Sequence, residues 1–540
     1  MTNRILGRRL MIAGVWAAMA LGLPQTALAA GADTADVHFR TSCKAEVQAD
    51  FNSAVTLLHS FEYHETAKLF GEIIERDPGC AMARWGAAMS IWHPLWAPPS
   101  KAELEKGAEL LAGTAGLDVT PREAGFIGAA KAFFSSNDIR TNTARARAYE
   151  AAMSEVYAGN LDDTEAAVFY ALAIRAIADP SDKSYALHFK SAGLLNWVRE
   201  TQPLHPGVLH FLIHDYDAPG LAHLALEAAK TYAAAAPNST HAQHMPSHIF
   251  TRLGLWEMSI ASNHASNRAA ADYTKRANLK GYYGQGLHGI DYLMYAMLQT
   301  AKDSEAEALL KHLLTIGMTN TEDFAVAFAY ASAPARYVLE RRQWKEAADL
   351  TLGPPHFQWQ EFSWVVAIHH FARGIGAARS GQLDKARAEW ARLKEIQKAL
   401  PATTLTYWRE EVQVEADAVM SWIVLAEGNA AEALKLARAA AEREDAVDKH
   451  AVTPGEVLPA RELYADMLLE TGDLAGALAQ YRLVLENTPG RLNALLGAAK
   501  AAAGSGVMAA AAKYYAVVRR QTASGNRRRQ GLAEAWKAAE

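Results

Sequence analysis

Two pairs of histidines, repeated at one fixed interval, constrain this chain more than any other feature of its 540 residues. His210 and His214 are four positions apart, and so are His244 and His248, which follow 34 positions later (244 − 210 = 34; 248 − 214 = 34). A spacing of four places both members of a pair on one face of a helix. A period of 34 residues is typical of helix-turn-helix units that stack side by side. The pattern therefore predicts four imidazoles on one wall of a helical solenoid.

The composition agrees with an all-α fold and argues against several functions. Half of the residues are hydrophobic, and the chain is rich in the strong helix formers Ala, Leu, Glu, Arg and Lys. Sustained alternation of β-branched residues, which would indicate strands, is absent from the sequence. The net charge of −5 gives no indication of the positively charged surface that nucleic-acid binding needs. The sequence also lacks a phosphate-binding glycine loop, a nucleophile elbow and the helix-borne zinc motif H-E-x-x-H.

The N-terminus has the features of a cleavable signal peptide. Arg4, Arg8 and Arg9 precede an apolar run over residues 10–23, and small residues lead up to a cleavage position after Ala29. A retained membrane anchor is the alternative, but the run is shorter than the roughly 20 residues that a span needs. We therefore predict a periplasmic or secreted protein with no membrane span after cleavage.

Only two cysteines, Cys43 and Cys80, are present. In an oxidising compartment the leading interpretation is a disulfide that ties the start of the first helix to the start of the third. Two buried free thiols are the alternative.

Several segments repeat a pattern of small residues, a turn and a helix stop. The clearest copies are residues 458–491 and residues 47–80, and the second ends at Asp77-Pro78. In the first copy the expected small, apolar, turn and helix-stop positions are occupied by Ala465, Leu468, Gly472, Ala477, Tyr481 and Pro489.

These segments resemble the tetratricopeptide repeat (TPR) superfamily. More narrowly, the chain is similar to exported bacterial TPR proteins that carry the segments HSFEYHETAKLF, DPGCAMARWGAAMS and HMPSHIFTRLG. The resemblance implies a right-handed superhelix from about residue 40 to the C-terminus, with a concave groove lined by the first helix of each repeat. Such a groove commonly takes a protein or peptide ligand, so the resemblance also implies that class of partner.

The resemblance places the histidine pairs in two consecutive repeats, 206–239 and 240–273. The following repeat contains an insertion and is aligned through Ala306. Besides the two pairs, the residues that this register directs into the groove are His241, Asp217, Arg252, His288, Asp291 and Tyr295.

A cluster of imidazoles without thiolates suits Zn, Cu or Fe. Nearby carboxylates can complete a coordination sphere or orient a ligand from outside it. Pro246 lies inside the second pair and is expected to kink that helix or to mark a late start. The predicted ligands of a transition metal ion are His210, His214, His244, His248 and His288, with His241, Asp217, Asp291, Arg252 and Tyr295 as additional or supporting residues.

Three functions are compatible with these patterns. The first is a ligand-binding or scaffold solenoid that holds a metal, the second is a metal-dependent hydrolase or oxidoreductase, and the third is a metal-free peptide adaptor.

Glu62 is expected at the surface unless the superhelix closes on itself, and the arginines at 527–529 are expected in solvent. The predicted segments are a signal peptide (1–29), N-terminal repeats (30–195), a histidine-rich core (196–310), further repeats (311–445) and C-terminal repeats with a basic tail (446–540).

Overall fold

The computed structural model describes residues 37–527, 529 and 531–537. The predicted signal peptide lies outside the described residues. Within the described part of the chain every regular element is a helix and no strand occurs. Each helix packs mainly on its neighbours along the chain, so the predicted class, an all-α TPR-type helix-turn-helix solenoid, is confirmed.

Thirteen helices cover the first half of this region: α1 (Gln48–His59), α2 (Tyr63–Arg76), α3 (Ala81–Met89), α4 (Lys101–Ala112), α5 (Pro121–Phe133), α6 (Asn142–Ala158), α7 (Thr164–Ala176), α8 (Ala186–Arg199), α9 (Pro206–Tyr216), α10 (Leu226–Ala235), α11 (Thr240–His244), α12 (Pro246–Arg252) and α13 (Trp256–Arg276).

Thirteen more cover the second half: α14 (Gln285–Gln299), α15 (Asp303–Thr315), α16 (Phe324–Glu340), α17 (Trp344–Ala348), α18 (Ser363–Arg379), α19 (Leu383–Ala399), α20 (Thr406–Ala426), α21 (Ala430–Asp445), α22 (Ala460–Glu470), α23 (Leu474–Asn487), α24 (Leu492–Gly504), α25 (Met508–Gln521) and α26 (Leu532–Lys537). Short 3₁₀ helices lie at Ala45–Val47, Ile139–Thr141, Ala222–Ala225 and Trp359–Phe362.

The C-terminal repeat explains why small residues recur at the helix crossings. Gly472 joins α22 to α23 with φ +90°, a conformation that glycine adopts without the steric cost of a side chain. On α24, a Cβ at Gly497 would lie 2.2 Å from the ring of Tyr481, which is fully buried on α23. The helices therefore approach closely because one side of the contact has no side chain.

The first repeat packs against the middle of the chain, which corrects the expectation that Glu62 is a surface residue. Glu62 is 1% exposed. Its carboxylate accepts hydrogen bonds from Ser239 Oγ at 2.7 Å, Tyr283 OH at 2.5 Å and the backbone N–H of His241 at 3.2 Å. The α1–α2 turn is thereby fixed against the helices that carry the histidines.

A disulfide joins Cys43, which precedes α1, to Cys80, which precedes α3. At the other end of the chain Arg529 is buried, in contrast to the solvent-exposed tail expected from the sequence. Its guanidinium donates to the backbone carbonyls of Leu298 and Glu340, so this part of the tail packs onto the core. No helix in the described residues is long and apolar enough to cross a membrane.

Candidate metal centre

Four helices bring six histidines together in the interior. α9 contributes His210 and His214, α11 contributes His241 and His244, α12 contributes His248, and α14 contributes His288. None of the six side chains is more than 3% exposed.

The predicted interruption at Pro246 divides the segment into two short helices. α11 ends at His244 and α12 begins at Pro246, and Met245 between them keeps helical dihedral angles. The break does not separate the pair, because Nε2 of His244 lies 3.0 Å from Nε2 of His248.

The first group of candidate ligands is the triad His210, His214 and His241. Nε2 of His210 lies 3.1 Å from Nε2 of His214 and 3.2 Å from Nε2 of His241. His210 Nδ1 lies 2.6 Å from the backbone carbonyl of His59, to which it donates. His241, expected only as an additional ligand, is therefore a full member of this group.

The second group is the triad His244, His248 and His288. Its ligand atoms lie within 4.8 Å of one another, as do those of the first triad. The ring centroid of His288 is 4.1 Å from that of His244 and 5.8 Å from that of His248. The two HxxxH pairs thus belong to different triads, and each is completed by one histidine from another helix.

Hydrogen bonds fix the tautomers of the second pair. Asn263 donates its Nδ2 to the carbonyl of Ser259 at 2.9 Å, so its Oδ1 is the acceptor that faces His244 Nδ1 at 2.6 Å. His248 Nδ1 likewise donates to Asp217 Oδ2 at 2.8 Å. A neutral imidazole has one proton, so the Nε2 atoms of both rings present lone pairs to each other. The 3.0 Å contact between these atoms is therefore not a hydrogen bond between neutral rings.

His288 has no polar partner in this structure. Both of its ring nitrogens are buried and without a hydrogen bond among the described residues. Burying polar atoms without a partner is costly, and such atoms in a native protein point to an additional group that pairs with them.

Three separations within the triads are close to the spacing of ligands around one ion. Metal–imidazole bonds of about 2.0–2.1 Å in tetrahedral geometry place neighbouring ligand atoms about 3.3 Å apart. The Nε2–Nε2 separations of His210–His214, His210–His241 and His244–His248 are 3.0–3.2 Å, and all ligand atoms of a triad lie within 4.8 Å of one another.

Burial keeps the imidazoles in the neutral form that binds metals. It lowers the pKa of all six rings, and the neighbouring rings lower most of them further. For His248, Asp217 opposes the effect of burial, yet the pKa remains below its usual value.

Asp217 supports the centre from outside the triads, as the sequence suggested. Arg252 donates to its Oδ1 at 3.0 Å, and Lys449 donates to its Oδ2 at 2.6 Å. Burial alone would raise the pKa of Asp217, but Lys449, the hydrogen bond from His248 and Arg252 together hold it well below its usual value. An ionised Asp217 therefore fixes the orientation and tautomer of His248, a common role for carboxylates beside metal ligands.

Two of the predicted supporting residues are not in the centre. Asp291 pairs with Arg336, whose Nε lies 2.9 Å from its Oδ1. Tyr295 accepts a hydrogen bond from Arg491 at 3.1 Å. Tyr292, four residues after His288, is the tyrosine that faces the site.

Tyr292 and a second buried cluster were missed by sequence reasoning. The Tyr292 hydroxyl lies 3.1 Å from His248 Nδ1 and donates to the carbonyl of Thr453 at 2.9 Å. Separately, Glu165 binds His59 Nε2 at 2.9 Å and His205 Nε2 at 3.0 Å. Burial would raise the pKa of Glu165, but the two histidines lower it further than burial raises it. Two isolated histidines and one glutamate from three different parts of the chain gave no periodic signal for this cluster.

Two aromatic rings cover the triads. Phe61, in the α1–α2 turn with φ +54°, has its ring centroid 4.4 Å from that of His210 and 5.8 Å from that of His214. Trp96, in the loop after α3, has its ring centroid 4.9 Å from that of His288. These rings limit contact between the histidines and water.

A cavity of about 350 Å³ reaches the centre at one point. His214 is the member of the two triads that lines it. The cavity is bounded by the loop after α3, the end of α7 and the segment after α21, with aromatic walls from Trp92, Trp96 and Tyr407. The arrangement therefore combines a buried set of ligands with one route for a small molecule.

Comparison with known proteins gives no family and no curated relative, because neither search finds a match. Among solved structures, a monomeric mutant of IFIT1 with Gppp-AAAA is similar over 86% of this chain and 95% of that chain, at 11% identity and a TM-score of 0.40. A second monomeric mutant of IFIT1, with m7Gppp-AAAA, is similar over the same shares at 11% identity and a TM-score of 0.39.

Proposed function

We propose that this protein binds two transition metal ions, one in each histidine triad. The observation that carries the proposal is the contact between His244 and His248, in which two lone pairs face each other at 3.0 Å inside the protein. A cation between the two nitrogens converts this repulsion into coordination. The unpartnered nitrogens of His288 support the same conclusion.

Copper is the metal that these ligands favour. Six neutral imidazoles bring no negative charge into the pocket, and the one nearby carboxylate, Asp217, is paired with Arg252 and Lys449. A buried site of this kind is less unfavourable for two singly charged ions than for two doubly charged ions, since charge burial is costly. Copper can enter as Cu(I), whereas zinc and iron are divalent or higher, and imidazole suits copper well. Export to the periplasm, predicted from the N-terminal segment, is part of the proposal.

Burial of the six rings argues against the alternative of a metal-free peptide groove at this site. A peptide would need the histidines at an accessible surface, and none is more than 3% exposed. A partner protein elsewhere on the solenoid is compatible with the metal centre.

Elemental analysis of the mature protein, exported to the periplasm and purified without a histidine tag, tests the proposal. We expect two equivalents of copper in the wild type, one in His241→Asn, one in His288→Asn and none in the double variant. His264→Asn is the matched control, because His264 is exposed on α13 and belongs to neither triad, and it should retain two equivalents. A protein that stays empty when offered copper, zinc and iron would overturn the proposal.

The cavity at His214 favours a second, more specific function, the oxidation of a small molecule by dioxygen. Two molecules of a donor such as catechol would each lose two electrons and two protons, and one dioxygen would accept them and become two waters, with a bound copper pair supplying the redox chemistry. We expect catechol-dependent oxygen uptake by the copper-loaded protein that is lost in His241→Asn. If the protein binds two equivalents of copper but takes up no oxygen with catechol, the metal-binding proposal stands and oxidation of catechol is excluded.

A further inference from the structure

The cavity beside His214 contains an arginine whose hydrogen-bonding capacity is largely unused. Arg175, at the end of α7, contacts the carbonyl of His214 at 3.4 Å and Asp215 Oδ1 at 3.9 Å, in both cases through Nε. Its two terminal nitrogens have no hydrogen bond to any described residue, and the side chain lines the cavity. A guanidinium with both terminal nitrogens free is suited to bind a carboxylate through two parallel hydrogen bonds.

Asp215, 3.9 Å away, is the acidic partner of Arg175, and other charged side chains of the lining have partners of their own. Lys449 is held by Asp217 at 2.6 Å, and Asp448 is held by Lys183 at 2.6 Å. Asp179 accepts hydrogen bonds from the side chain and backbone of Ser181. Arg147 adds a second arginine to the lining, also without a hydrogen bond to any described residue. The lining has three basic side chains, Arg147, Arg175 and Lys449, against two acidic ones, and Arg175 keeps both terminal nitrogens open to the cavity.

The remaining walls are aromatic and apolar. Trp96 contributes to the cavity and also covers His288, with 4.9 Å between the ring centroids. Leu95 and Tyr407 lie on the same lining. A volume of about 350 Å³ is at the lower end of the range for small-molecule sites, large enough for one substituted aromatic ring.

We infer that this cavity binds a small aromatic carboxylate, with its carboxylate on Arg175 and its ring against Trp96, next to the His214 side of the metal centre. The position of the ligand relative to the metals rests on the proposed function, whereas its binding to the cavity does not. Arg175 is therefore a residue that positions the ligand, and the triads are not needed for recognition of the carboxylate.

Calorimetric titration with benzoate tests this inference, with benzyl alcohol and benzylamine as ligands of similar size that lack the anionic group. We expect the wild type to bind benzoate at least 10-fold more tightly than either control ligand. Arg175→Gln should weaken benzoate binding about 10-fold to 100-fold, the usual effect of losing a charge-assisted pair. Arg268→Gln, an exposed arginine on α13 outside the cavity, is the matched control and should leave benzoate binding unchanged.

The same preparations separate this inference from the proposed function. Metal content is measured for each variant, and benzoate binding is measured for metal-loaded and metal-free protein. Benzoate binding that depends on Arg175, in a protein that takes up no copper, zinc or iron when these are offered, would support the cavity and overturn the metal proposal. Two bound metals, together with equal binding of benzoate and benzyl alcohol, would support the metal proposal and overturn the inference that the cavity binds a carboxylate. If Arg175→Gln does not fold, benzoate binding is measured in Arg175→Lys instead. The affinities of the wild type for the three ligands then test the preference for a carboxylate without any variant.

Discussion

The Nε2 atoms of His244 and His248 lie 3.0 Å apart, although each ring donates its single proton on the opposite side, to Asn263 and Asp217 respectively. The helix break at Pro246 does not disturb this contact. Two lone pairs at this distance in a buried pocket make the metal-free state unfavourable, so metal binding and stability are expected to be coupled.

Removal of the metal should therefore destabilise the protein. A ligand at about 100 times its dissociation constant adds about 2.7 kcal/mol for each site. We expect a chelator to lower Tm of the wild type, measured by differential scanning calorimetry, and re-addition of copper to restore it. In the His241→Asn/His288→Asn double variant, the chelator should have no effect. Equal Tm values for the wild type with and without metal would contradict the coupling.

The metal-free protein should lose stability in mild acid. The pKa values of the six histidines are lowered in the folded state, whereas in the unfolded chain they are about 6.5. Below about pH 6.5 the unfolded chain binds protons that the folded chain does not, so the free energy of unfolding falls as pH decreases, by up to about 1.4 kcal/mol per pH unit for each histidine. Urea unfolding between pH 7.5 and about pH 5 measures the slope.

The control for this pH dependence is the His241→Asn/His288→Asn variant, which has two fewer buried histidines. Its free energy of unfolding should fall less steeply than that of the wild type. Parallel curves for the two proteins would show that the triads do not cause the acid sensitivity.

Asn263 should matter for metal affinity although it is not a ligand. Its Oδ1 holds the His244 proton on Nδ1 at 2.6 Å, which keeps Nε2 free for the metal. Loss of such an outer hydrogen bond typically costs 10-fold to 100-fold in affinity. We expect this loss in Asn263→Ala by competition with a chelator of known affinity. Asn267→Ala, on the same helix but without a hydrogen bond to any of the six histidines, should retain wild-type affinity.

The two ions should form a coupled pair rather than two isolated sites. Rings of the two triads approach with centroids 5.9 Å apart for His214 and His248 and 6.1 Å apart for His241 and His244. Two Cu(II) ions held this closely in adjacent triads would couple their unpaired spins. We expect little electron paramagnetic resonance signal from the oxidised wild type and the signal of one isolated Cu(II) from His241→Asn. Two full isolated Cu(II) signals from the wild type would exclude a coupled pair.

The Cys43–Cys80 disulfide should contribute to stability and not to metal binding. It closes a segment with a sequence separation of 37, for which the chain-entropy relation gives about 4 kcal/mol. We expect Cys43→Ala/Cys80→Ala to lower the free energy of unfolding by about this amount in urea titrations. The copper content should remain at two equivalents, and a loss of copper would mean that the first repeat is needed to assemble the centre.

The sequence by itself determined the fold class and most of the ligands, because both depend on local periodicity. A spacing of four residues fixes two rings on one helical face, and a period of 34 residues makes adjacent helices carry equivalent faces. Spacing alone therefore predicts four of the six histidines, namely His210, His214, His244 and His248.

Only the tertiary structure decided how these ligands are grouped and what surrounds them. His241 completes one triad and His288 the other because α12 packs against α9 and α14 packs against α11, a relationship that spacing along the chain does not contain. Tyr295 and Asp291 are held away from the triads by Arg491 and Arg336, which come from distant parts of the chain. Phe61, Trp96 and Arg175 come to the site from loops and helix ends, where side-chain direction follows from packing between distant segments rather than from any repeating pattern.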